Sequence, residues 1–290
     1  MGKALSEKFP SAARVFEEAD DALGFALSKL CFEGPEDQLK LTENTQPALV
    51  AVSVAALAVL KEQGIQADFV AGHSLGEYSA LVAAGSLQFA AALRIVKNRG
   101  RYMQEAVPAG AGAMAALLRL PEGKLEGILA EAAQGQVVSA ANMNSPEQIV
   151  IAGHAEAVKR AADLAKAAGA KRAVILPVSA PFHCALMKPA QERLKVDLDA
   201  AVFAGLAVPL VNNFEARLIR TGEEARHGLY EQVPNPVRWV ESVRCLASAG
   251  VTRCYEIGAG AVLTGLLKSI DPSLQGTKFG EPADLEKLGA

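Results

Sequence analysis

The sequence predicts an α/β protein whose larger part carries a mostly parallel sheet and is interrupted by a small inserted α+β subdomain of ferredoxin-like topology. Three observations carry this. Strand-like and helix-like stretches alternate over most of the chain, the pattern of parallel strands joined by helices. Between Gly110 and Leu176 the order changes to strand–helix–strand–strand–helix–strand, the split-βαβ arrangement. A Gly-x-Ser-x-Gly pentapeptide, Gly72 to Gly76, follows a strand-like run and precedes a helix-compatible stretch, which is the context of a nucleophile elbow.

Taken in order, Val15, Phe16, Ala19 and Leu23 recur at helical spacing and stop at Gly24, so the first element is an amphipathic helix. Thr45 to Gln63 reads as a second helix, with Pro47 near its first turn and Gly64 closing it. Asp68 to Ala71 is the strand before the elbow, Glu77 to Ala84 the helix after it, and Ala90 to Glu105 a further helix. Gly110-Ala111-Gly112 is a flexible joint. Beyond it, strands are expected at Ala113–Leu118, Val137–Ala141, Gln148–Ile151 and Ala173–Leu176, with helices at Lys124–Ala133 and Ala155–Ala168. Helices return at about Ala185–Ala201, Glu223–Gln232 and Trp239–Ala249, and the strand Arg253–Ile257 leads into Gly258-Ala259-Gly260 and a last helix. The expected division is 1–109 and 179–290 for the larger part and 110–178 for the insert.

Composition narrows the class. The chain has 290 residues, 51% hydrophobic but only 5% aromatic, so its core is aliphatic and alanine-rich. A net charge of −3 is scattered, and no basic run is interleaved with aromatics, which argues against nucleic acid. Cys31, Cys184, Cys245 and Cys254 are isolated and the histidines are not clustered, which argues against zinc and fits reduced thiols in a cytoplasm. The apolar run Pro47 to Leu60 falls short of the roughly 20 residues a membrane span takes, so it reads as a buried helix. Lys3, Glu7 and Lys8 with no apolar stretch leave no signal peptide, and no membrane association is expected.

Three residues carry chemistry. On the elbow, Ser74 exposes its hydroxyl at a tight turn, and the Leu75 N–H at the start of the next helix is aimed at an oxyanion formed beside it. On the Ala90–Glu105 helix, Ala92, Val96, Arg99 and Met103 share one stripe, which places Arg99 on the buried side, where a guanidinium needs an anion. Either an internal carboxylate or a substrate carboxylate held in a bidentate contact meets that need. His183, in the segment re-entering the larger part, is the best base for Ser74 among His73, His154, His183 and His227; a loop histidine satisfied locally is the other reading. No acid stands in a triad context between Ser74 and His183, so a dyad with the imidazole oriented by a backbone carbonyl is expected. Gly258-Ala259-Gly260 lacks the third glycine of a dinucleotide loop, since the next is Gly265.

Gly72-His73-Ser74-Leu75-Gly76-Glu77-Tyr78-Ser79-Ala80 resembles the active-site stretch of the malonyl-CoA:acyl carrier protein transacylase family. So do Arg99-Gly100-Arg101-Tyr102-Met103-Gln104, Asn142-Met143-Asn144-Ser145-Pro146, Phe182-His183-Cys184-Ala185-Leu186-Met187 and Asn235-Pro236-Val237-Arg238-Trp239. The resemblance spans about Met1 to Leu267. It implies a hydrolase-like α/β core with a ferredoxin-like insert, and transfer of a malonyl group from malonyl-CoA to the phosphopantetheine thiol of acyl carrier protein in fatty acid biosynthesis. It implies Ser74 as nucleophile, His183 as base, Arg99 as the clamp on the malonyl carboxylate and the Gln232 carbonyl as the group orienting the imidazole. Leu75 N–H would serve the oxyanion, and His73, Phe182 and Asn142 would line the pocket. No metal or redox cofactor is required.

The sequence begins just after the point where the family carries an N-terminal strand and a Gly-Gln-Gly-Ser-Gln segment. Either this start is too late, or one oxyanion donor is missing and this form is weak or inactive. Two rival expectations remain. A serine esterase or thioesterase shares the elbow but has no use for Arg99, and a binding-only relative would hold acyl carrier protein without turnover.

Overall fold

The computed structural model describes residues 1–178 and 180–288. Ser179, the expected first residue of the returning larger part, lies outside the described residues, as do Gly289 and Ala290. The expected helix at Val15–Leu23 runs Pro10–Leu23, with proline in its first turn and Gly24 closing it at φ 70°. The helices Lys3–Lys8, Leu27–Glu33 and Glu36–Leu39 were not legible, because each is too short to show a period. The second expected helix starts earlier, at Thr42, and ends at Glu62, so Pro47 lies inside it.

That helix corrects one expectation. It is 21 residues long with a window of mean hydropathy 1.3, so by length and composition it could cross a bilayer. Its surroundings argue otherwise: 56% of the window is buried within the fold, where Val50, Ala51, Ala55 and Val59 pack with Pro10–Leu23 and Phe89–Glu105 into the main core.

The strands are β1 Val70–Ala71, β2 Gly112–Leu118, β3 Val138–Ser145, β4 Gln148–His154, β5 Arg172–Ile175, β6 Leu210–Val211, β7 Leu218–Ile219, β8 Arg253–Ile257 and β9 Gln275–Phe279. From Gly112 to Ile175 the elements follow the expected order and form a four-stranded antiparallel sheet, β3-β4-β2-β5, with Ala115 opposite Ile151 and Ile175. Alternation along β2 decides what each face covers. Ala115 and Leu117 pack under the helices Leu125–Ala133 and Ala155–Ala167, through Ile128, Val158 and Ala161. Met114 and Ala116 face the other way, onto Cys184, Phe182 and Leu186. The small sheet therefore backs the segment that carries His183.

The mostly parallel sheet is not observed as one body. Among the described residues the remaining strands form two small sheets: β1-β6-β7, parallel between β1 and β6 but antiparallel between β6 and β7, and the parallel pair β8-β9. The link from Val211 to Leu218 is too short for a crossover, which takes a dozen or more residues, so β7 must turn back on β6. The fold is α/β with mixed sheets.

Candidate active site

The pairing of β1 with β6 builds the site. Val70 and Ala71 lie opposite Leu210 and Val211, so both strands end side by side, and the residues just beyond them, 72–77 and 212–213, meet. Gly72 begins a tight turn, Ser74 adopts φ 51°, and the helix Gly76–Ala83 starts at once. A left-handed serine is a strained backbone, held here because its surroundings fix it. The Ser74 N–H donates to Asn213 Oδ1 at 2.6 Å, and Asn213 Nδ2 donates to the Gly72 carbonyl at 2.7 Å.

Only the first glycine of the pentapeptide is demanded by space. A Cβ on Gly72 would fall 2.0 Å from the Gly76 carbonyl, whereas one on Gly76 meets nothing within 4 Å. Gly72→Ala is therefore expected to lower stability by about 1–3 kcal/mol, through overpacking against backbone. Gly76→Ala should leave the melting temperature close to that of the parent; thermal melts of both variants check this.

Ser74 Oγ lies 2.7 Å from His183 Nε2. His183 also has a left-handed backbone, φ 59°, and its Nδ1 lies 2.9 Å from the Gln232 carbonyl. A carbonyl only accepts, so Nδ1 carries the proton and the Nε2 lone pair faces the serine. Burial, with the Arg99 guanidinium beside it as the second cause, pulls the imidazole down to about 3, so it is neutral at physiological pH. No carboxylate contacts it among the described residues.

Arg99 arrives from the Phe89–Glu105 helix and is 2% exposed. Its Nη1 donates to Gln46 Oε1 at 2.7 Å, and Nη2 donates to Gln232 Oε1 at 2.9 Å and to Ser74 Oγ at 3.1 Å. Among the described residues no carboxylate oxygen comes within 4.0 Å of it. Of the two readings left open by the sequence, a directly paired internal carboxylate is not what the structure contains. The guanidinium is held by neutral acceptors, and its Nε has no hydrogen-bond partner among the described residues.

The other expected residues divide. Leu75 N–H donates to no backbone carbonyl among the described residues and sits at the start of the helix after Ser74. His73 turns away from Ser74, its Nε2 lying 2.8 Å from Asn144 Oδ1 and its ring edge-on to Trp239 at 5.5 Å. Phe182 is half-buried beside His183. Asn142 is buried on β3, paired in a bridge with Val237, and makes no hydrogen bond to the serine cluster; Asn144 on the same strand is the residue that reaches His73.

Sequence reasoning missed Gln46, Glu77 and Asn213. Nothing local marks Gln46 or Asn213, whereas Glu77 follows Ser74 by one helical turn and a carboxyl at that spacing could have been suspected. Its side chain is fully buried, and burial pushes it up to about 7.

Residues 1–271 match the acyl transferase domain family. The chain is 50% identical over 280 residues to the malonyl CoA-acyl carrier protein transacylase of Escherichia coli K12, covering 96% of this chain and 91% of that protein. An acyl carrier protein S-malonyltransferase from Vibrio cholerae, 45% identical, superposes with a TM-score of 0.97 over 99% of this chain and 94% of its own. A malonyl-transacylase solved in complex with a type II PKS acyl-carrier protein, 48% identical, gives 0.96 over 99% and 93%. Fold, site and similarity lead to one conclusion: the chain belongs to the acyl transferase domain family and, within it, to the malonyl CoA-acyl carrier protein transacylases.

Proposed function

We propose that the chain transfers malonyl groups from malonyl-CoA to the phosphopantetheine thiol of acyl carrier protein, a step of fatty acid biosynthesis, through a malonyl ester on Ser74. The observation that carries this is the position of Ser74 Oγ, 2.7 Å from a neutral imidazole nitrogen and 3.1 Å from a buried guanidinium. His183 Nε2 takes the hydroxyl proton as Oγ attacks the thioester carbonyl, and Leu75 N–H stabilises the oxyanion. The intermediate collapses, the C–S bond breaks, and CoA leaves as the thiol with the proton from His183. The carrier thiol then gives its proton to His183, attacks the ester and releases Ser74 with that proton. Gln232 keeps the imidazole in one tautomer throughout. Arg99 binds the free malonyl carboxylate, and His73, Phe182 and Asn142 shape the pocket around the acyl group.

The same reading takes the four-stranded unit as a ferredoxin-like insert, 110–178, in a hydrolase-like core formed by 1–109 and 179–290. Support comes from the strand order β3-β4-β2-β5 and from the elbow at the end of β1. Similarity to bacterial transacylases and the four free cysteines favour a cytoplasmic protein.

Intact-mass spectrometry tests the chemistry. Malonyl-CoA should add one malonyl group to the parent, acyl carrier protein should remove it, and Ser74→Ala should take up none. An adduct retained in Ser74→Ala overturns the nucleophile. Hydrolysis of neutral p-nitrophenyl esters faster than transfer to the carrier thiol makes the protein an esterase instead.

A further inference from the structure

Glu77 takes no part in the chemistry written above, yet it sits under every group that does. Its side chain is fully buried on the first turn of the Gly76–Ala83 helix. One oxygen, Oε2, accepts the Gln232 Nε2–H at 2.8 Å and the Asn213 N–H at 3.0 Å. The other, Oε1, has no hydrogen-bond partner among the described residues. It faces Gly228 on the Gly222–Gln232 helix, where a Cβ would lie 3.6 Å away.

The two residues that Oε2 holds reach all three functional residues, Ser74 through its backbone and His183 and Arg99 through their side chains. Asn213 grips the Ser74 amide at 2.6 Å. Gln232 receives the His183 Nδ1–H on its backbone carbonyl at 2.9 Å and the Arg99 Nη2–H on its side-chain carbonyl, also at 2.9 Å. A side-chain amide can turn over, exchanging its oxygen for its nitrogen. Turned over, Gln232 would aim N–H groups at Arg99, a donor against a donor, and an oxygen at Glu77 and at the Ser74 carbonyl, acceptors against an acceptor. An acceptor at the Oε2 position, together with the Ser74 carbonyl 3.0 Å from Nε2, forbids that orientation.

We propose that Glu77 is a positioning residue for acyl transfer: its Oε2 fixes the Gln232 amide and the Asn213 backbone, and through them the serine, the imidazole and the guanidinium. This rests on the malonyl-serine reading given above. What the network uses is an oxygen at one place. The negative charge is secondary, because a proton on the unpartnered Oε1 leaves Oε2 free to accept. Raised by burial to about 7, the carboxyl spends much of its time in that state at neutral pH.

Two substitutions separate reach from charge. Glu77→Gln keeps a carbonyl oxygen at the Oε2 position and loses the charge. Glu77→Asp keeps the charge and withdraws the carboxylate by one bond, about 1.5 Å. The measurement is the single-turnover rate of serine acylation by malonyl-CoA and by p-nitrophenyl acetate, with folding monitored through Trp239, the only tryptophan. Glu77→Gln is expected to acylate within about tenfold of the parent, a loss the size of one weakened hydrogen bond. Glu77→Asp, though folded, should fall by about 100-fold, as for a misplacement of 1 Å. Because serine and histidine are both displaced, both substrates should be affected, in the rate constant rather than in the concentration dependence.

The reverse order, Asp active and Gln not, would show that charge is what matters and overturn the proposal, as would near-parent rates in both. Loss of folding in Glu77→Gln would also overturn it, by making the carboxylate a folding element. A parent that forms no malonyl adduct would sink the functional reading itself, an outcome distinct from all of these.

Discussion

Arg99→Ala is expected to lower kcat/KM for malonyl transfer by about 10²–10³-fold while acetyl transfer changes by less than about tenfold; truncating one partner of a buried charge pair costs about 2–5 kcal/mol. The asymmetry follows from what surrounds the guanidinium. It is buried, and its described partners Gln46, Gln232 and Ser74 are neutral. Before substrate arrives the charge is hydrogen-bonded but has no anion in contact, so a carboxylate entering beside Ser74 gains a charge-assisted bond in a water-poor site. An acetyl group brings nothing to that position and leaves the charge uncompensated. The alanine variant loses the gain with malonyl, and with acetyl it loses only the contacts that hold Gln232 and Ser74 in place. Arg99→Lys should recover little of the malonyl rate, since a compact ammonium does not reproduce the planar fork that holds Gln46 and Gln232 while presenting a bidentate edge to a carboxylate. Steady-state kinetics with both thioesters checks this; equal losses with the two would remove Arg99 as the selective group.

How much of this was legible in the sequence depends on whether a residue acts through local pattern or through tertiary meeting. Ser74 was readable because an elbow is a local device: strand, turn and helix follow one another in the chain. Arg99 was readable because a charge on an apolar stripe contradicts its own helix. The small unit was readable because its strands and helices are long enough to show their periods. The sheet arrangement elsewhere was not, since β6 and β7 are two residues each and their pairing with β1 is set by contacts far apart in sequence. Gln46, Glu77 and Asn213 escaped for the same reason, since each matters through a partner that only the fold supplies. Asn144 escaped as well: it shares a motif with Asn142, and only the fold shows that its side chain reaches His73.

Glu77 and His183 should give the protein a stability profile in which two opposite slopes cancel. Unfolded, His183 takes a proton near 6.5, but folded it resists until about 3. Between those values the unfolded chain binds more protons, so stability rises with pH, by about 5 kcal/mol across the window. Glu77 does the reverse. Folded it keeps its proton to about 7, whereas unfolded it releases it near 4.5. There the folded chain binds more protons, and stability falls as pH rises, by about 3 kcal/mol.

From about pH 4.5 to 6.5 the two slopes oppose each other and leave a plateau to which neither group's burial is visible. Single substitutions expose them. The unfolding free energy of Glu77→Gln relative to the parent should increase by about 3 kcal/mol on going from pH 4 to pH 8, because the variant has no carboxyl to ionise inside the fold. His183→Asn should show the opposite drift, gaining about 3 kcal/mol on the parent from pH 7 down to pH 4. Urea melts at matched ionic strength read both differences, and other titrating groups drop out because parent and variant share them. A Glu77→Gln difference that stays flat with pH would mean that the carboxyl ionises in the fold as it does in water. The buried serine, imidazole and guanidinium would then stand over a fixed negative charge, and the selectivity expected of Arg99 would have to be achieved against an anion already in place.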